Sequence, residues 1–321
     1  MMLRMAAAAL PLAIGISAQA FASCGSAFCP INTSWDVLGA WSEPGARLDL
    51  RYESITQNQP RTGGRNIAFG EIRRHHDEVF TRNRNWVGTF DYAFNADWGL
   101  SGSMPLVDRE HLHIHNHQGR ALPEAWDFRA AGDLRVLARY RAWSSESRDP
   151  PAAGAAGIHF GIKLPTGRID VRNDQGELAE RSLQPGTGTT DALLGAYVTH
   201  SLPQTDLSWF AQGMLQLPLN AREGYRPGER ATLDAGLRYD ATQQWSLLLQ
   251  VNTVLRGRDR GVEAEPLDTG GTSVWIAPGA SFAATKDLRL YGFLQLPLLQ
   301  YVNGVQIAAT KAVVLGINAR F

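Results

Sequence analysis

The sequence predicts an all-β protein: an antiparallel transmembrane β-barrel of the outer-membrane type, with about twelve strands and a range of about ten to fourteen. Three observations predict this fold. The N-terminus carries an export signal, apolar and polar residues alternate over segments of about ten residues, and the links between these segments alternate between short and long.

Residues 1–22 have the organisation of a secretory signal peptide. Arg4 precedes the apolar run AAAALPLAIGISA, and small-residue cleavage sites end the segment at Ala20 and Ala22. The chain has 31 basic and 31 acidic residues, so removal of Arg4 leaves the mature protein with one net negative charge. This balance argues against nucleic acid as a partner, because nucleic-acid-binding surfaces are strongly basic.

Residues 23–45 form a separate N-terminal segment, either periplasmic or plugging the barrel, and contain Cys24 and Cys29. Two cysteines this close in an exported chain most often form a disulfide. So short a loop adds little chain-entropy stabilisation, and the bond would serve to fix a local turn. Two alternatives remain open. The stretch FASC resembles a lipobox, which would make Cys24 a lipidated N-terminus, and the two thiolates could instead bind a soft metal.

Residues 46–321 contain the predicted barrel strands. At the C-terminus, for example, Val313, Leu315 and Ile317 alternate with Gly316 and Asn318. A period of two with one apolar face indicates strands that separate two different environments. The predicted strands lie near 46–54, 85–94, 98–107, 132–142, 156–165, 190–200, 205–217, 231–240, 243–256, 272–284, 287–297 and 310–321.

The links between these strands favour a barrel over a soluble sandwich, which would show the same alternation. An even number of strands with short turns at one end and long loops at the other is typical of outer-membrane barrels. The short links are 95–97, 201–205, 241–243 and 285–286, and 143–155 is intermediate. The long links are 55–84, 108–131, 166–189, 218–230, 257–271 and 298–309.

Charged residues on the strands are expected to face the lumen, because the outer face contacts lipid. Of the 31 basic residues, 28 are arginine. Two interpretations remain open: the guanidinium groups favour anionic solutes, or acidic residues neutralise them across strands and hold the barrel rigid. Trp98 and Trp245 are expected in an interfacial aromatic girdle. The predicted lumen residues are Arg47, Asp49, Arg51, Glu53, Arg135, Arg139, Arg141, Arg238 and Arg289.

The stretch REHLHIHNHQG at 109–119 places histidines at every second position. Alternate side chains of an extended segment point the same way, about 6.5–7 Å apart, so neighbouring imidazoles could share Zn(II) or Cu(II) in the external loops 55–84 and 108–131. The alternative is that they are exposed polar residues. No other cofactor is expected. The candidate metal ligands are His111, His113, His115 and His117, with His75 and His76.

Four segments carry a resemblance to a known family: GIKLPTGR at 161–168, GTGTTDALLGAY at 186–197, PLNAREGYRPGE at 218–229 and QLPLLQYVNGVQI at 295–307. They resemble the outer-membrane barrels grouped under the MetA pathway of phenol degradation, which are similar to barrels that admit fatty acids and aromatic hydrocarbons. The resemblance covers about residues 130–321 and implies passage of small, aromatic or apolar solutes. Phe321 resembles the terminal aromatic residue by which the assembly machinery recognises such barrels.

We therefore expect an outer-membrane channel for small aromatic or anionic solutes, surrounded by lipid and lipopolysaccharide. The alternative function is a barrel that captures metal ions or a partner through external histidine-rich loops. No enzyme motif occurs, so we expect no enzymatic activity. A hydrolase that uses His159 or His200 is the remaining catalytic alternative.

Overall fold

The computed structural model describes residues 44–72, 76–117, 120–148 and 151–321, without the side chains of 117, 146–148, 151 and 152. The predicted signal peptide, Cys24, Cys29 and His75 lie outside the described residues. In this part of the chain, no helix has the length and apolarity to cross a membrane.

The described residues form thirteen strands, which account for most of their length. The strands are β1 (Gly45–Gly63), β2 (Arg65–Asn66), β3 (His76–Ala93), β4 (Trp98–His117), β5 (Arg120–Ala131), β6 (Leu134–Arg148), β7 (Pro151–Leu164), β8 (Asp191–Ser201), β9 (Leu207–Pro218), β10 (Arg230–Asp240), β11 (Trp245–Arg256), β12 (Gly271–Ala283) and β13 (Leu288–Arg320).

Strand β13 pairs with β1 and so closes the sheet into a barrel. The two strands are antiparallel, and their pairing begins at Arg47, which lies opposite Arg320. The ring contains all described strands except β2, which pairs with β1, and β5, which pairs with the upper half of β4. Strand β13 folds back near Gly304, whose φ of 58° suits a tight turn. Its first leg pairs with β12 and its second with β1. Counting both legs, twelve segments cross the wall, and the predicted barrel of about twelve strands is confirmed.

The two faces of the wall differ as the alternation predicts. On β1, Leu48 and Leu50 are 47% and 43% exposed on the outer face, whereas Arg47 and Asp49 are 4% and 3% exposed on the inner face. A continuous apolar outer face is the surface that lipid covers.

An aromatic girdle lies at the short-turn end of this apolar belt. Trp98 and Trp245 begin their strands, and both are exposed on the outer face. The Trp98 ring lies 4.7 Å from that of Tyr140 and the Trp245 ring 4.8 Å from that of Phe282, measured between centroids. Amphipathic rings of this kind occupy the membrane interface, and in outer-membrane barrels the short-turn end is periplasmic.

The strands at the long-loop end extend further than the sequence predicts. Residues assigned to external loops 55–84 and 108–131 belong largely to β1, β3, β4 and β5, so that assignment is wrong. The reason is that both faces are polar there. On the outer face, Asp108 accepts hydrogen bonds from Arg84 at 2.9 Å and Arg129 at 2.6 Å, so the apolar belt ends below this level and the ladder continues beyond it. Similarly, link 143–155 is mostly strand in β6 and β7, and 298–309 belongs to β13.

Glycines of the wall make room for aromatic rings on the inner face. A Cβ atom on Gly316 would lie 2.2 Å from the ring of Tyr291, and one on Gly279 would lie 2.2 Å from the ring of Phe293. Real side chains do not approach so closely, so only glycine fits at these two positions. The rings therefore lie flat against a neighbouring strand, where they add apolar surface to the inner wall.

Candidate functional site in the lumen

The nine charged residues predicted for the lumen alternate along their strands with lipid-facing apolar residues, and the structure places all nine on the inner face. Most are buried or half-buried, because they pack within the barrel. They are Arg47, Asp49, Arg51, Glu53, Arg135, Arg139, Arg141, Arg238 and Arg289.

Near the short-turn end, several of these arginines have acidic partners close by in the chain. Arg51 Nε donates to Glu53 at 2.8 Å, and Arg238 Nε donates to Asp240 at 2.8 Å. Both pairs join residues two positions apart on one strand. These two contacts run along a strand, whereas Lys163 and Asp191 form an ion pair across strands, as one of the two predicted interpretations has it.

Midway along the lumen, Lys163 lies between two carboxylates. Its Nζ atom is 3.1 Å from Asp133 and 3.0 Å from Asp191, and its side chain is 2% exposed. Gln216 Nε2 donates to Asp191 at 2.6 Å, while its Oε1 accepts from Arg135 Nη2 at 2.9 Å. A hydrogen-bonded network of charged groups therefore spans β6 to β9 inside the barrel.

The segment between β7 and β8, residues 165–190, folds into the barrel and will be called the inward loop. Its Leu183 is fully buried, and the Leu183 carbonyl accepts a hydrogen bond from Arg109. The Trp126 indole donates to the Glu177 carbonyl at 3.2 Å. Thr187 donates to Asp133 through both its backbone N–H and its hydroxyl, each at 2.9 Å. These contacts hold the loop against the inner wall on several sides.

A cavity of about 60 Å³ lies between the inward loop and the wall and will be called the cationic cavity. Among its lining side chains Asp133 is the one carboxylate, and Ser182, Gln216 and Tyr225 add neutral polar groups. Burial, then the charge of Asp259, raises the pKa of the Tyr225 phenol, which therefore stays neutral. Six cationic side chains line the cavity: Arg109, Arg135, Lys163, Arg181, Arg230 and Arg256.

Three of the alternating histidines, His111, His113 and His115, face the interior from β4 above the apolar belt. His111 and His113 are each 1% exposed, and His76 of β3 is 2% exposed. The rings of His76 and His113 are 4.8 Å apart between centroids. The prediction that these residues occupy an exposed external loop is therefore wrong. The inward register of β4 buries them.

Hydrogen bonds join these histidines into a chain that ends on Glu124 of β5. His113 Nε2 lies 2.8 Å from the Glu124 carboxylate, and His115 Nδ1 lies 3.0 Å from its other oxygen. The Nδ1 atom of His113 lies 3.3 Å from His111 Nε2, and His111 Nδ1 lies 2.8 Å from the Thr81 hydroxyl. An ionised Glu124 accepts only, so His113 donates from Nε2, His111 donates to His113, and Thr81 donates to His111. One set of neutral tautomers satisfies the whole chain.

The electrostatics of the chain agree with neutral imidazoles. Burial, followed by the charge of His113, lowers the pKa of His111 well below its usual 6.5. Burial also lowers the pKa of His113, against the opposing hydrogen bond to Glu124. For Glu124, burial alone would raise the pKa, but the hydrogen bonds from His113 and His115 outweigh it and lower the pKa. The site thus holds an ionised Glu124 in contact with His113 and His115, and a second carboxylate, that of Glu180, lies 3.8 Å from His113 Nδ1.

Within the described residues, no group of three or more His, Cys, Asp or Glu side chains is arranged to hold a metal ion. Several ring nitrogens of His111, His113 and His115 are engaged with one another or with Glu124. His75 and the side chain of His117 lie outside the described residues. The zinc or copper site therefore stays a prediction, without support from this geometry.

Lys163, Asp133 and Asp191 belong to the site but were not among the predicted residues. A signal for Lys163 was present, because it is a rare lysine at an inward register of an apolar strand. No local signal marks Asp133 and Asp191, which lie at strand ends and meet Lys163 only in the closed barrel.

No known protein family matches the sequence, and no curated protein matches it. Among solved structures, the fold is similar to that of an outer membrane channel from Pseudomonas putida F1, with a TM-score of 0.62, 14% sequence identity, and coverage of 88% of this chain and 97% of that chain. More distant structures include the NanC porin, with TM-score 0.44, 10% identity and coverage of 85% and 100%. The CymD monoaromatic hydrocarbon channel has TM-score 0.41, 8% identity and coverage of 89% and 91%.

The closed antiparallel wall, the apolar outer belt and the charged interior define a bacterial outer-membrane β-barrel. Its fold is that of an outer-membrane channel, and the predicted resemblance to such channels is confirmed at this level.

Proposed function

We propose that the protein is a passive channel for small solutes and that it favours anions. The observation that carries this proposal is the cationic cavity, where six basic side chains and one carboxylate surround the space beside the inward loop. In a narrow, partly desolvated passage such an excess of fixed positive charge attracts anions and repels cations.

Nearby carboxylates offset part of this positive charge, among them Glu223, which lies 3.2 Å from Arg181. Lys163 has two acidic partners, Asp133 and Asp191, and Arg256 pairs with Asp259 at 2.7 Å. Arg135 donates to the neutral amide of Gln216. Arginine keeps its charge at any physiological pH, so the preference for anions should vary little between neutral and mildly acid solutions.

A channel rather than an enzyme is the function that we propose. The histidine chain is the arrangement most like a catalytic relay, yet Thr81 and His111 at its far end are each 1% exposed. A substrate could not reach that hydroxyl without displacement of the surrounding strands. Capture of metal ions or a partner by exposed histidine loops is not favoured, because His76, His111 and His113 are buried.

Assembly through Phe321 is also proposed. This residue follows β13 and is 77% exposed, so its ring can be reached by the assembly machinery from the periplasmic end. Lipid and lipopolysaccharide are the expected surroundings of the apolar belt and of the charged rim above it.

Single-channel recording in a planar bilayer tests the proposed function. We expect ion conductance with a reversal potential in a KCl gradient that indicates anion preference. Arg135→Gln should reduce that preference severalfold, because it removes one charge from the cationic cavity. Arg129→Gln is the matched control: it removes the same charge from an exposed site on the outer face and should leave selectivity unchanged. Absence of conductance, or preference for cations, would contradict the proposal.

A further inference from the structure

A second cavity, of about 160 Å³, lies in the long-loop half of the lumen and will be called the apolar cavity. Residues of β1, β10, β11, β12 and both legs of β13 line it. The indole of Trp275 and the aliphatic side chains of Ile55, Val254, Ala309 and Ala312 supply apolar surface, and polar side chains complete the lining, among them Gln57, Thr272, Ser273, Gln300 and Gln306.

One polar group in this cavity lacks a partner. Gln295 is 0% exposed, and neither its amide nitrogen nor its amide oxygen has a hydrogen-bond partner among the described residues. A buried amide without partners is costly, and nearly all such groups in proteins are satisfied by protein, water or ligand. Gln295 therefore offers one donor and one acceptor to a molecule in the apolar cavity.

The apolar and cationic cavities adjoin. Arg230 and Arg256 line both of them, so their guanidinium groups stand at the boundary between an apolar space and a strongly positive one. A molecule that occupied both would need an apolar body and an anionic group.

The volume is sufficient for one aromatic ring. An apolar cavity of about 150 Å³ holds one benzene molecule, and the volume here is about 160 Å³. The indole of Trp275 provides an aromatic wall against which such a ring can pack.

We propose that these two cavities form a binding site for single-ring aromatic hydroxy acids, an inference that rests on the proposed channel function and narrows its solute. The ring occupies the apolar cavity beside Trp275, and its hydroxyl exchanges hydrogen bonds with the Gln295 amide. The carboxylate faces Arg230 and Arg256. The site would retain such a solute briefly on its passage through the lumen.

Calorimetric titration of the purified barrel with three probes separates these contributions. The probes are 4-hydroxybenzoate, benzoate, which lacks the hydroxyl, and phenol, which lacks the carboxylate. We expect 4-hydroxybenzoate to bind tightest, with benzoate weaker by about tenfold, the effect of about one lost hydrogen bond in a buried site. Gln295→Leu should remove the difference between the two acids, and Arg230→Gln should weaken both acids while phenol binding is unchanged.

The control is Gln212→Leu, since Gln212 lies on β9 and lines neither cavity; it should preserve the wild-type order. Ala309→Phe fills the apolar cavity and should abolish binding of all three probes.

Equal affinities for the two acids in the wild-type protein, or an unchanged difference in Gln295→Leu, would overturn the proposal. Conductance without any probe binding would overturn the site and leave the channel, whereas binding without conductance would overturn the channel function.

Discussion

Replacement of Lys163 by methionine tests the network at the centre of the lumen. Lys163→Met keeps the length of the side chain and removes its charge from between Asp133 and Asp191, which are 7% and 0% exposed. Removing one partner of a buried ion pair typically costs about 3–5 kcal/mol, because the remaining charge is buried without compensation. Here both carboxylates keep other donors: Thr187 on Asp133, and Thr189 and Gln216 on Asp191. We therefore expect a loss at the lower end of this range, about 3 kcal/mol in the free energy of unfolding.

The measurement is urea unfolding of the refolded barrel in lipid vesicles, followed by tryptophan fluorescence. Lys163→Met/Asp191→Asn should recover about half of the loss, since it removes one of the two uncompensated charges. Lys286→Met is the control: its side chain is 91% exposed in a turn, and the change should be below about 0.5 kcal/mol. A loss below about 1 kcal/mol for Lys163→Met, or no recovery in the double variant, would refute the assigned role of the network.

Three further predictions concern the histidines and the wall. Because burial lowers the pKa of His111 and His113 in the folded protein, the unfolded chain binds more protons in mild acid. The free energy of unfolding should therefore keep its full value above pH 6.5, the usual histidine pKa, and decrease as the pH falls below it. A urea midpoint that is equal or higher at pH 5 would contradict this. Titration with Zn(II) should give the same weak affinity for the wild-type protein and a His113→Ala/His115→Ala variant. If the wild-type protein bound one Zn(II) per chain and the variant did not, the predicted metal site would be supported. Gly316→Val should lower stability by about 2 kcal/mol or more, because a Cβ there meets the Tyr291 ring at 2.2 Å; unchanged heat resistance in gel electrophoresis would disprove the packing.

The wall of the barrel was predictable because lipid imposes a local rule. Each strand must place apolar groups outward and may place polar groups inward, so a period of two identifies both the strand and its faces. Leu48, Arg47 and Asp49 on β1 follow this rule, as the structure shows. This alternation holds only over the part of each strand that lies in the apolar belt. Beyond Asp108 the outer face is charged, and the continuation of β4 through His117 could not be distinguished from a loop.

The interior of the lumen was less predictable because its contacts are long-range. Arg109 and Leu183 are 74 positions apart, and Tyr291 donates to Asp49 across 242 positions. No local pattern identifies such partners. The inward loop is a further case: the sequence predicts residues 166–189 to be a long external link. Their position inside the barrel depends on contacts of Leu183 with β4, of Glu177 with β5, and of Thr187 with Asp133 in the link between β5 and β6.

The wall and the inward loop also differ in the contacts that hold them in place, and this difference determines which part of the barrel opens more easily. A wall strand such as β10 is bonded to a neighbour on both sides, from Arg230 to Tyr239. Displacement of one strand would break a whole ladder of backbone hydrogen bonds in a setting with no water to replace them. The inward loop depends on individual side-chain contacts from Arg109, Trp126 and Asp133. Local opening follows the weakest cooperative unit, so widening of the lumen costs these few contacts and leaves the barrel closed.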